Sequence, residues 1–117
     1  MRVKRIFDFE AAHKLPRHPG KCKDLHGHSY RLVVSVEGPV DPGSGMAIDF
    51  SDLKALVVQH AVSKLDHKYV NDLIDNPTAE AMAVWIWDRL KPSLSDLSRV
   101  VVRETCTSGC VFEGPGR

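Results

Sequence analysis

The chemistry most visible in this chain of 117 residues belongs to three histidines: His26 and His28, two residues apart, and His13 upstream. The run holding the pair reads as a β-strand, and residues i and i+2 of a strand project from the same face. Two imidazoles so placed can grip one metal ion. His13, on a second strand-like run, can bring a third. Three protein ligands with a fourth position left open is the arrangement that catalytic zinc requires. The competing reading is three unrelated surface or core histidines. Cys22 lies four residues before His26 on the intervening loop and is open to two roles. As a fourth ligand it closes a structural site of one cysteine and three histidines. As a free thiol beside a cation its pKa falls, and the thiolate becomes a base or nucleophile.

Two further groups carry weaker signals. In the pair Asp66-His67, an aspartate can orient an imidazole and make it a proton shuttle. Sequence neighbours need not touch, however, and an aspartate at a helix end is often simply solvated. Glu104 shares parity with Val100 and Val102 in a strand-like run, which points it inward. A buried carboxylate needs donors, and a ligand with a guanidine-like N–H pair supplies two at once. The alternative is a strand-end glutamate in water or paired with Arg103. His60, at the edge of a helical stripe with no partner at i±4, reads as a packed histidine rather than a ligand.

The elements that must position these groups follow from hydrophobic period. Arg2 to Ala12 alternates, with Val3, Phe7, Phe9, Ala11 and then His13 on one parity. A loop rich in Pro, Gly and Lys leads to a second strand, Leu25 to Gly38. There His26, His28, Tyr30, Leu32, Val34 and Val36 share a face, so the histidine pair ends an apolar face. Met46 to Phe50 reads as a short strand-like entry. Ser51 is the expected N-cap of a helix through about Leu65, with a stripe of Leu53, Leu56, Val57, Ala61 and Leu65. Asn76-Pro77-Thr78-Ala79-Glu80 opens a second helix, its stripe formed by Ala79, Met82, Ala83, Ile86 and Leu90. Trp85 and Trp87 flank that stripe, and Pro92 ends the helix. Strands at Leu97 to Thr105 and Cys110 to Glu113 close the chain around a turn at Thr107-Ser108-Gly109. The order ββααββ predicts an α+β fold, a four-stranded antiparallel sheet with two helices on one face. Its open edges predict edge-to-edge oligomers.

Composition fits one domain spanning residues 1–117. A formal net charge of +1, with acids and bases interspersed, argues against a nucleic-acid partner. No apolar run approaches a membrane span. The amino terminus lacks an apolar signal core, and three cysteines do not suggest a disulfide framework. A cytoplasmic chain with Cys22 as a thiol is expected. Cys106 and Cys110 receive no metal and read as hairpin packing.

Taken together, the motifs carry a resemblance. Phe9-Glu-Ala-Ala-His13, Cys22-x3-His26-Gly-His28-Ser-Tyr30, Gly45-Met-Ala-Ile-Asp-Phe50, Leu65-Asp-His67, Asn76-Pro-Thr-Ala-Glu80 and Glu104-Thr-Cys-Thr-Ser-Gly-Cys110 occur in the order seen in the 6-pyruvoyl-tetrahydropterin synthase family. Each is weak alone; six in order, spanning nearly the whole chain, are specific. The gap between Cys22 and His26, with the Glu-Thr-Cys-Thr-x-Gly-Cys ending, resembles the bacterial branch that makes 6-carboxytetrahydropterin for queuosine. The resemblance implies a tunnelling fold (T-fold), whose subunits join sheets into a barrel as a homo-oligomer, a hexamer or tetramer with sites at subunit interfaces. It implies zinc on His13, His26 and His28, Cys22 as proton acceptor and His67, oriented by Asp66, as its relay partner. It further implies Glu104 as anchor of the pterin edge, also counted with the relay, and Thr78 as a pterin contact. The implied substrate is 7,8-dihydroneopterin triphosphate. The implied products are 6-carboxy-5,6,7,8-tetrahydropterin, acetaldehyde and triphosphate. A 6-pyruvoyl-tetrahydropterin synthase is the nearest alternative, and a non-catalytic structural zinc protein the alternative of another class.

Overall fold

The computed structural model describes residues 1–105 and 107–116. In chain order the main elements are β1 (Arg2–His13), β2 (His26–Glu37), α1 (Phe50–Val57), α2 (Ser63–Leu65), β3 (Lys68–Tyr69), α3 (Ala79–Leu90), β4 (Leu97–Glu104) and β5 (Ser108–Phe112). The alternation expected for the first two strands is what pairs them. β1 and β2 run antiparallel from Arg2↔Glu37 to His13↔His26, which sets those two histidines directly across from one another. β4 adds to the other side of β2 with Tyr30 opposite Glu104, and β5 adds to β4.

The sheet differs from the expected four antiparallel strands. It has five, in the order β3-β1-β2-β4-β5, and it is mixed, because β3 runs parallel to β1 at Ala11 and Ala12. Two residues are too short to show a period. What holds that edge is tertiary: the Lys14 amide donates to Asn71 Oδ1, and Asn71 Nδ2 donates back to the Lys14 carbonyl. Met46–Phe50 forms no strand either, being bend and irregular chain until Phe50 opens α1. The cap of α1 is Asp49, whose carboxylate accepts from the Ser51 amide at 2.6 Å, rather than Ser51 itself. Likewise Thr78 caps α3, accepting from the Ala81 amide.

The first helical stretch reaches Leu65 as expected, but through a π turn at Val58–Val62 between α1 and α2. Leu53, Val57, Ala61 and Leu65 are buried along it, with Leu56 half-buried. In α3, Met82, Ala83, Ile86 and Leu90 are buried, with Ala79 half-buried at its start. Trp87 joins the core, with Lys91 Nζ 5.3 Å above its ring, while Trp85 is half-buried beneath Arg89. These stripes pack on Phe7, Phe9, Ala11, Tyr30, Leu32, Val34, Val36, Val100 and Val102, the inward parity of the strands. The site histidines continue that parity at the sheet's end. The opposite face bears a cross-strand apolar row of Ile6, Val33, Val101 and Val111, paired in register, with Ile6 50% and Val111 57% exposed.

The final hairpin turns earlier than expected, with Ser108 and Gly109 already in β5. Gly109 is required there: a Cβ would lie 2.8 Å from the Val102 carbonyl oxygen. Cys110 faces inward and is half-buried. Burial first, then the negative charge of Glu80, pushes its thiol pKa up, as suits a packing residue. Cys106 lies outside the described residues.

Candidate metal centre

The hairpin of β1 and β2 delivers all three histidines to one point. One ring nitrogen from each of His13, His26 and His28 lies within 4.8 Å of the others, and His13 Nε2 is 3.0 Å from His26 Nε2. His13 is buried at 1% exposure; the other two are half-buried. The remaining nitrogens are all committed. His13 Nδ1 lies 2.8 Å from the Pro77 carbonyl, His26 Nδ1 2.7 Å from the Asp24 carbonyl, and His28 Nδ1 3.1 Å from Thr105 Oγ1. The carbonyls only accept, so Nδ1 of His13 and His26 carries the proton; Thr105 can accept from the third. Each Nε2 then presents a lone pair to the same space.

That arrangement fits a cation on chemical grounds. Unprotonated nitrogens facing each other at 3.0 Å repel unless a positive charge sits among them. Tetrahedral zinc with Zn–N near 2.0–2.1 Å would set neighbouring nitrogens about 3.3 Å apart. Metal-ligating histidines characteristically donate their other N–H to such fixed acceptors. Burial lowers the His13 pKa, with the Pro77 carbonyl opposing and the charge of His26 adding to the fall, so its ring is held neutral, the ligating form.

Glu104 reaches the same place from β4. Its Oε2 is 3.9 Å from His28 Nε2, and its side chain is 22% exposed, so it points inward as its parity predicts. Cys22 sits half-buried in a single 3-10 turn, Lys21–Lys23, whose loop is closed by the Leu15 amide donating to the Cys22 carbonyl. Its sulfur is not part of the converging set of ligand atoms.

Asp66 and His67 do touch: Asp66 Oδ1 is 3.0 Å from His67 Nδ1 and also accepts from the Glu10 amide at 3.1 Å. The Glu10 amide is the largest cause holding the Asp66 pKa below its usual value, with His67 adding to it. His67 has φ of 59°, in the left-handed region, and its amide donates to the Glu10 carbonyl at 2.6 Å. That turn projects the ring outward, 78% exposed, over a depression of about 670 Å³ lined also by Glu10, Ala12, Gly27, His28, Ser29 and Thr105. His67 is not one of the three converging ligands, but its depression reaches His28, one of them. Thr78 accepts the Ala81 amide, which leaves its own O–H available as a donor. His60 is half-buried outside the cluster, as expected.

Sequence reading missed four participants: the carbonyls of Asp24 and Pro77, the Thr105 hydroxyl and Tyr30. Carbonyls have no signature in a sequence. Tyr30 does, being the next residue on the face after His28.

The family model described as 6-pyruvoyl tetrahydropterin synthase matches residues 2–115, and the chain belongs to that family. Within it, the chain is 45% identical to the 6-carboxy-5,6,7,8-tetrahydropterin synthase of Synechocystis over 97% of this chain and 93% of that one. It is 35% identical to the human 6-pyruvoyl tetrahydrobiopterin synthase, over 96% and 90% of the two chains. The Caenorhabditis elegans 6-pyruvoyl tetrahydropterin synthase structure superposes with a TM-score of 0.88 at 28% identity, covering 97% and 95%.

Proposed function

We propose that this chain is a zinc-dependent lyase converting 7,8-dihydroneopterin triphosphate to 6-carboxy-5,6,7,8-tetrahydropterin with release of acetaldehyde and triphosphate, in queuosine biosynthesis. The observation that carries the reading is the convergence of three Nε2 atoms, each ring fixed through Nδ1, beside the Glu104 carboxylate. The Synechocystis relative's name favours the carboxy product.

Bound at His13, His26 and His28, zinc would supply Lewis acidity to the substrate's side-chain hydroxyls. The protein's own groups do the rest. Glu104 accepts two N–H bonds from the pterin's 2-amino and N3 edge. The Thr78 hydroxyl donates to the ring from the end of α3. Cys22, outside the ligand set, takes a proton from the substrate side chain as thiolate. Asp66 holds the Nδ1 proton of His67, so His67 Nε2 faces outward to deliver a proton to the ring.

Because His67 is 78% exposed over an open depression shared with His28, a neighbouring copy would close the site over the relay. We accordingly assign the protein to a homo-oligomer, a hexamer or tetramer with sites at subunit interfaces. The apolar row on the sheet face opposite the helices and the uncovered β5 edge favour such assembly. Cys22 and Cys110 are free thiols, in keeping with a cytoplasmic location. Among the described residues no helix is long and apolar enough to cross a membrane.

A structural zinc protein is disfavoured by the position of the Cys22 sulfur outside the ligand set. The pyruvoyl reaction is the second reading, favoured by the names of the human and nematode relatives. Incubation with dihydroneopterin triphosphate and mass analysis of products tests both. Acetaldehyde with carboxytetrahydropterin is expected; a pyruvoyl pterin without acetaldehyde selects the second reading, and unchanged substrate refutes both.

A further inference from the structure

Between the ligands His13 and His26 the chain concentrates positive charge and leaves it unanswered. Residues 14–24 carry Lys14, Arg17, Lys21 and Lys23 against a single acid, Asp24. Elsewhere the chain pairs three of its arginines with acids: Arg2 with Glu37, Arg31 with Asp8 and Arg99 with Glu113. Among the described residues, none of the four loop cations has a carboxylate in salt-bridge reach. All four are exposed.

The loop that carries them is closed on itself. The Leu15 amide donates to the Cys22 carbonyl at 2.8 Å and the His18 amide to the Leu15 carbonyl at 2.9 Å, which folds the segment into a lobe. Lys14 is pinned to Asn71 through both its amide and its carbonyl. The 3-10 turn sets Lys21 and Lys23 on either side of Cys22. The Gly20 amide donates to His18 Nδ1 at 2.9 Å, so the neutral ring carries its proton on Nε2 and offers it as a donor.

Strand register places this lobe relative to the site. Glu104 stands opposite Tyr30, and from there the inward face of β2 runs through His28 to His26 and on to the loop. Tyr30 to His26 spans about 13 Å at the rise of a strand. A ligand anchored at Glu104, with its side chain over the three imidazoles, is thereby directed along β2 toward the lobe. In dihydroneopterin triphosphate the phosphates sit on the terminal side-chain carbon, just beyond the carbons that bear the hydroxyls. Arginine meets phosphate with a fork of two N–H bonds and lysine as a point charge.

We propose that the lobe of residues 14–23 is the triphosphate subsite of the metal centre, with Arg17, His18, Lys21 and Lys23 as its contacts and Lys14 adding charge at its base. The inference rests on reading the substrate as a pterin triphosphate. The competing destination for the phosphates is the depression beside His67, where Lys68 is the cation.

The test uses the zinc-loaded protein and two fluorescent, fully oxidised ligands, neopterin and neopterin triphosphate, which differ only in the phosphates. An exposed ion pair is worth up to about fivefold in affinity. Arg17→Ala/Lys21→Ala/Lys23→Ala should therefore raise the Kd of neopterin triphosphate about a hundredfold at low salt, while that of neopterin stays within about twofold. Added salt should erode the wild-type preference for the triphosphate, and Lys68→Ala should change neither Kd. A triphosphate Kd within about threefold of wild type in the triple variant, an equal loss for both ligands, or a loss confined to Lys68→Ala overturns the proposal. If the triple variant fails to fold or to retain zinc, Arg17→Ala, which does not flank Cys22, must weaken the triphosphate about fivefold and spare neopterin; no change there overturns it equally. Wild-type protein that binds neither ligand would refute the functional reading instead. Calorimetry with inorganic triphosphate then decides the lobe, which stands if wild type binds it and the variant does not, and falls otherwise.

Discussion

Removing the Thr105 hydroxyl should loosen the metal without disturbing the three imidazoles. The shortest contacts of the Nδ1 atoms of His13 and His26 are to main-chain carbonyls, whereas that of His28 is to a side chain, Thr105 Oγ1, at 3.1 Å. That contact can therefore be deleted by a substitution. Loss of a hydrogen bond behind a ligating histidine typically costs about ten- to a hundredfold in metal affinity, or about 1.4–2.8 kcal/mol. Alanine is the better choice than glycine, because Thr105 has φ of 44° and glycine would relieve that strain and raise stability for a separate reason. In Thr105→Ala, zinc Kd measured by competition with a chromophoric chelator should rise by that factor. The melting temperature in saturating zinc should fall while that of the metal-free protein barely moves. Thr105→Ser, which restores an acceptor, should recover most of the affinity. A Kd within twofold of wild type for the alanine variant, or a serine variant just as weak, would refute the reasoning.

Three other outcomes are expected. Cys22→Ala should keep its zinc yet lose about 10²–10⁴ in turnover, the usual weight of a general base; a variant isolated without metal would instead put the sulfur in the coordination sphere. Burial lowers the His13 pKa from 6.5, so the unfolded chain binds the proton first. The stability contributed is present above pH 6.5 and is lost as pH falls through the lower folded value. Urea midpoints of the metal-free protein should drop between pH 7.5 and 5.5 more steeply than in His13→Gln, and parallel curves would contradict this. Gly109→Ala forces a Cβ to 2.8 Å from the Val102 carbonyl oxygen and 2.9 Å from Arg103 Cγ. It should cost about 1–3 kcal/mol, read by denaturant unfolding; an unmoved midpoint would show that the hairpin yields freely.

Much of this site was legible in the residues because strand parity is a strong local code. The alternation of β1 and β2 aligned His13 with Phe9 and Ala11, and His26 and His28 with Leu32 and Val34, before any fold was known. The same code turned Glu104 inward. What escaped depends on distant partners. β3 exists as two residues because Asn71 and Lys14 exchange hydrogen bonds at that edge, and no window of sequence contains both strands. Helix starts slipped by two residues, from Ser51 to Asp49 and from Asn76 to Thr78, because neighbouring residues could all serve as caps and only the backbone selects one. The placement of His67 was invisible for a related reason: its left-handed φ, not its residue type, sets where the ring projects.

The three segments that anchor the Nδ1 atoms, the approach to β2 at Asp24, the turn before α3 at Pro77 and the end of β4 at Thr105, share no element of secondary structure. An ion seated at Nε2 would thus tie three stretches from different elements together through the rings between them. Their order becomes linked to free-metal concentration: saturation should slow amide exchange at Thr78 and Thr105 together, well beyond the atoms an ion would touch.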